Sequence, residues 1–217
     1  MVSYAAQERQ ALADALLEAG PDAPTLCTGW TAADLAAHLV ARERRADSGP
    51  GLVLPALAGW TERARRGYLR RPFPELVGLV RGGPPRVSLF ALPGVDAAAN
   101  LTEHFVHCED VRRARPGWTP RVLPDGMEDA FWGQLRARAR MMFRRSPVPV
   151  TLRRTDASGL PTGDEVRVGA KGPGGVVLTG PASELVLHAF NRTSATTVEV
   201  GGDPAAVQQF QQVRLGL

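Results

Sequence analysis

The spacing of apolar residues changes once along this chain, near Ser146, and that change limits the folds open to it. Before it, apolar side chains recur three and four residues apart, as on amphipathic helices. After it, PVPVTLRR and EVRVGA alternate apolar and polar residues like half-buried strands, and GGVVLTG is a third strand candidate. The first region predicts helices over 3–19, 32–46, about 55–69, 74–81, 95–115 and 125–145. Gly20-Pro21, Gly82-Gly83-Pro84-Pro85 and Pro116-Gly117 interrupt them, and the Gly/Pro-rich run Asp47–Pro55 reads as a loop. Thr31, with Asp34 three residues on, reads as the N-cap of the second helix. In the second region a helix opens at Pro181, TTVEVGG supplies another strand and Asp203 caps a last helix. The expected fold class is therefore α+β. A helical bundle built on the four principal helices (3–19, 32–46, 95–115 and 125–145) occupies residues 1–146, and a small α/β domain occupies 147–217.

Composition removes several alternatives. With 217 residues the chain is long enough to bury a core without disulfides, and Cys27 and Cys108 are its only cysteines. No apolar run approaches the roughly 18 residues that suggest a membrane span. The acidic, amphipathic N-terminus does not resemble a secretion signal. The expected setting is the cytoplasm, with no membrane partner, as a monomer or homodimer. The net charge of +4 permits an anionic ligand without demanding one. Arginines cluster at 63–71 and 136–145, but no recognised nucleic-acid fold or exposed aromatic series accompanies them. No nucleic-acid partner is expected.

The chain has four histidines, at positions 38, 104, 107 and 188. Glu103 and His107 stand four residues apart on one predicted helix, so their side chains share a face and could reach one ion. The same spacing also describes a surface ion pair. His38 is a third candidate ligand, although its apolar neighbours Leu35, Leu39 and Val40 also suit a core histidine. Asp110 shares the Glu103/His107 face and could orient His107 as a hydrogen-bond acceptor. His104 points elsewhere on the helix, and Cys108 lies about 100° around it from His107. Neither cysteine is assigned to the ligand face. Glu184 and His188 repeat the four-residue spacing but are not assigned a metal.

LCTGWTAADLAAHL followed by NLTEHFVHCEDVRRA resembles the DinB-like superfamily, in particular its mycothiol-dependent maleylpyruvate isomerase-like branch. The resemblance implies a DinB-like four-helix bundle with His38, Glu103 and His107 as ligands of a divalent metal, zinc being the leading choice. It implies mycothiol as cosubstrate and an electrophilic small molecule as substrate, the enzyme acting as a thiol transferase or isomerase. A zinc-dependent hydrolase and a non-catalytic metal- or thiol-binding regulator remain as alternatives, because no general base stands out beside the ligands. GPASELVLHAFNRTSATTVEVGGD resembles the C-terminal segment of the same branch, where a helix ends in Gly-Arg. Here Asn191 replaces the glycine and Arg192 remains, which implies that Arg192 binds a substrate carboxylate. An arginine that simply neutralises a helix C-terminus is the competing account.

Overall fold

Local capping chemistry starts the first two helices where the sequence places them. In the computed structural model, which describes residues 3–44, 58–85, 100–213 and 215, α1 spans Tyr4–Ala19. The Ser3 hydroxyl accepts the Ala6 N–H at its start, and Gly20, at φ 83°, ends it. Helix α2, Ala32–Arg44, opens on a reciprocal box: Thr31 Oγ1 accepts the Asp34 N–H at 3.3 Å, and Asp34 Oδ2 accepts the Thr31 N–H at 3.0 Å. Helices α3 (Ala58–Tyr68), α4 (Phe73–Gly82) and α5 (Leu101–Arg112) follow. The predicted Asp47–Pro55 loop and the stretch 95–99 of the fifth predicted helix lie outside the described residues.

The chain divides into two compact units, Met1–Trp118 and Thr119–Leu217. In the first, α1 packs against α2, α4 and α5, and α2 against α3 and α4. Leu12 and Leu16 of α1, Leu35 and Leu39 of α2, Leu76 and Val80 of α4, and Val111 of α5 form its core. Small residues at Ala32, Ala36 and Ala37 keep α2 close to its neighbours.

The second unit opens with α6, Asp125–Met142, and continues into a sheet of order β2-β1-β3-β4. Strands β1 (Pro149–Thr155) and β2 (Pro161–Gly169) pair antiparallel, β1 and β3 (Val176–Gly180) parallel, and β3 and β4 (Glu199–Gly202) antiparallel. Helix α7, Ala182–Ala189, crosses between β3 and β4, and α8, Pro204–Gln211, is capped by the Asp203 carboxylate on the Ala206 N–H. At Gly175, φ 118°, an added Cβ would stand 2.4 Å from the Pro149 carbonyl oxygen, so only glycine permits this approach to β1.

Among the described residues the molecule is thus a mixed α/β protein with eight α-helices and one four-stranded sheet. The sequence reading divided the chain at 146/147, where the periodicity changes. The packing divides it earlier, because α6 lies against α7 and β2. The helix expected to complete a four-helix bundle therefore belongs to the second compact unit. No helix among the described residues is long and apolar enough to cross a membrane.

Candidate metal centre

Two helices of the first unit bring the three expected ligands together. His38 lies on α2, and Glu103 and His107 lie one turn apart on α5. One donor atom from each falls within 4.8 Å of the others. Glu103 Oε1 is 3.4 Å from His107 Nε2 and 3.8 Å from His38 Nε2. Two ligands bound to zinc at about 2.0–2.1 Å with tetrahedral angles stand roughly 3.3 Å apart. The nitrogen–oxygen–nitrogen set therefore fits such an ion with small side-chain adjustments. All three side chains keep partial exposure, 13%, 24% and 12% for His38, Glu103 and His107, so the cluster can be approached from solvent.

The surroundings fix the ring of His107. Its Nδ1 lies 2.9 Å from Asp110 Oδ2, and the Asp110 side chain is fully buried. If Nδ1 carries the proton and donates it to Asp110, Nε2 presents its lone pair toward Glu103 and His38. Cys27 Sγ donates to the same Asp110 oxygen at 3.2 Å, and the Asp110 backbone carbonyl accepts the Leu26 N–H at 3.0 Å. The loop before α2 is thereby tied to α5 at the site.

Charge is balanced from the other side. Arg42, one turn after His38, places Nε 3.4 Å from Glu103 Oε1 and donates from Nη1 to Asn100 Oδ1 at 3.0 Å. Burial opposes a charge on Glu103, but hydrogen bonds from His107 and His38, with the positive charges nearby, outweigh it. The carboxyl is held well below the usual carboxylate range. Burial likewise opposes a charged His107, and its bonds to Asp110, Cys27 and Glu103 outweigh that, holding its imidazole well above the usual range. Both shifts favour an ionised Glu103 beside a charged His107, and an ion bound there would have to displace the proton on Nε2.

The outer layer positions His38. The Trp30 ring lies 5.0 Å from the His38 ring, centroid to centroid, and the Arg65 guanidinium sits 5.3 Å over Trp30. Arg65 also binds Asp34 and Glu62, so Asp34 serves the cap and this pairing rather than the metal cluster.

No family model, curated protein or solved structure matches this chain.

The remaining sequence candidates resolve individually. His104 is fully buried, with Nε2 3.1 Å from Glu43 Oε1 and Nδ1 3.3 Å from the Ala5 carbonyl oxygen. Arg9 Nη1 reaches both oxygens of Glu43, at 2.7 and 2.8 Å, completing a buried network the sequence reading did not anticipate. Cys108 is core packing. Cys27, not assigned to the ligand face, stands beside Asp110, and Cys27, His107 and Asp110 form a second group of donors close enough to share an ion. Its proximity depends on the fold of the preceding loop, which helical spacing does not describe. Arg42 was also missed, although its four-residue offset from His38 placed it on the same helix face. Glu184 accepts the Thr197 N–H at 2.9 Å, and the Glu184/His188 pair is not among the metal-competent groups of the described residues. Arg192, in the second unit, donates from Nη1 to the Phe190 carbonyl at 2.7 Å.

Proposed function

We propose that this protein is a zinc-dependent enzyme that activates a small-molecule thiol, with mycothiol as the leading cosubstrate, for attack on an electrophilic substrate. The convergence of His38, Glu103 and His107 from two helices carries the reading. The DinB-like resemblance of the segments that hold these residues supports the choice of thiol and of reaction class. S-conjugation and isomerisation by addition and elimination are the two expected outcomes.

His38, Glu103 and His107 would hold the ion, leaving at least one coordination position free. The ion would supply positive charge that favours the ionised form of a thiol near neutral pH. Asp110 would hold His107 in the tautomer that offers Nε2, and Arg42 would keep Glu103 anionic. Arg192 is proposed, on the resemblance alone, to clamp a ligand carboxylate.

The test is a titration of the zinc-loaded protein with mycothiol, followed by a product screen with electrophiles. Saturable thiol binding and thiol-dependent product are expected. Turnover of a substrate by water without thiol would instead establish a hydrolase. Thiol binding without product from any electrophile would establish a regulator.

A further inference from the structure

The second unit carries a cleft of about 580 Å³ in which, among the described residues, every charged side chain is positive. Arg140 reaches it from the last turn of α6, Arg144 from the turn after that helix, Arg167 from β2 and Lys171 from the loop between β2 and β3. All four are exposed. The sequence shows the arginine cluster at 136–145, but not that a strand and its loop would add two more cations beside it.

Pairing within the fold does not account for this charge. On β1 of the same sheet, Arg153 is paired with Glu165, and Arg154 with Asp129 and Asp164. Arg140, Arg144 and Lys171 have neither a hydrogen bond nor an ion pair among the described residues. The dipole of α6 favours cations at its C-terminus, which suits Arg140 and Arg144 but says nothing of Arg167 and Lys171. Like charges gathered on one cleft repel, and an anion entering it relieves that repulsion. The cleft is also held in shape. Arg167 Nη2 donates to the Gly172 carbonyl at 2.7 Å and to the Gly174 carbonyl at 3.1 Å, which pins the Lys171 loop beside β2. At Gly169, φ 79°, an added Cβ would stand 2.7 Å from the Val148 carbonyl oxygen, so only glycine lets β2 end this close to the chain entering β1.

We propose that this cleft binds a small molecule carrying two or more phosphate groups, through Arg140, Arg144 and Lys171, with Arg167 fixing the loop. Guanidinium and ammonium groups are the usual partners of phosphate oxygens. Several cations from separate segments, with little apolar surface between them, favour a multiply charged ligand over an apolar monoanion. The size suits a small molecule, and no aromatic ring among the described residues lines the cleft to stack nucleic-acid bases. The site lies within the second unit and does not depend on the metal centre.

The test is calorimetric titration of the full chain with pyrophosphate and with orthophosphate at fixed ionic strength. Pyrophosphate should bind at one per chain, and orthophosphate about ten-fold more weakly or worse. Arg144→Gln/Lys171→Gln, which removes two side chains with no partner in the fold, should weaken pyrophosphate binding by about ten-fold or more. Arg153→Gln, from the same sheet, and His38→Ala, from the proposed metal centre, should both bind it like the parent. Adenosine diphosphate separates the sources: tighter binding than pyrophosphate would assign an organic diphosphate and equal binding the phosphates alone, and both support the proposal. Equal affinity for the two inorganic anions, or undiminished pyrophosphate binding in the double variant, would overturn it. So would equal weakening in Arg153→Gln, loss in His38→Ala, or tighter binding of oligothymidylate than of pyrophosphate, which would make the cleft a nucleic-acid surface.

Discussion

At the scale of single residues, the proposed metal site would depend on groups that orient its candidate ligands as much as on those ligands themselves. Asp110 carries three interactions at once: the His107 ring, the Cys27 thiol and, through its backbone carbonyl, Leu26. Replacing its side chain by Asn keeps the shape but allows the amide to present a donor to Nδ1, which favours the wrong tautomer. Zinc affinity of Asp110→Asn should fall by about 10- to 100-fold, as measured by competition with a chromogenic chelator. Undiminished affinity would show that Asp110 serves packing alone. Cys27 tests the ligand set from another direction. Cys27→Ser should keep its zinc, because His38, Glu103 and His107 provide the donors without it. Loss of the metal with the fold intact would transfer the site to Cys27, His107 and Asp110.

At the scale of elements, the chain's described helices and strands were largely legible in its sequence, because apolar periodicity and, at several of them, local capping chemistry mark them. Thr31 and Asp34 cap α2 reciprocally, Asp203 caps α8, and the alternation of PVPVTLRR becomes β1. The end of α7 is another case. Asn191 takes the left-handed conformation, and the N–H groups of Asn191 and Arg192 return to the carbonyls of His188 and Leu187, both at 3.0 Å. Comparing Asn191→Ala with Asn191→Gly isolates the backbone term, since both lose the bond that Asn191 Oδ1 accepts from the Leu215 N–H. The alanine variant should be less stable than the glycine variant by about 1–2 kcal/mol in urea unfolding. Equal stabilities would mean that the turn relaxes. What local patterns did not carry were contacts between segments distant in the sequence. His38 and the Glu103/His107 pair were legible as donors by type and spacing. Arg9, Glu43 and His104 sit 34 and 61 residues apart, and nothing in their spacing announces a network. Periodicity likewise identified α6 as a helix without saying which unit it would join.

At the scale of the whole molecule, the chain combines a helical unit that gathers metal donors with a sheet-containing unit that buries a histidine, His188, unpartnered among the described residues. The second feature has a consequence for stability. His188 has its pKa lowered from 6.5 to about 4 by burial, so the unfolded chain takes up a proton there before the folded chain does. Stability from this group is complete above about pH 6.5 and declines as the pH falls toward 4, by at most about 3 kcal/mol. Urea unfolding of the parent should show a steeper loss across that window than His188→Phe, and parallel curves would show that the ring is solvated when folded. The central claim, that the helical unit holds one zinc ion on His38, Glu103 and His107, is tested most directly by elemental analysis. The parent should contain one zinc per chain, and His38→Ala and His107→Ala, shown to be folded by circular dichroism, should contain none. One zinc per chain in both folded variants would contradict the account.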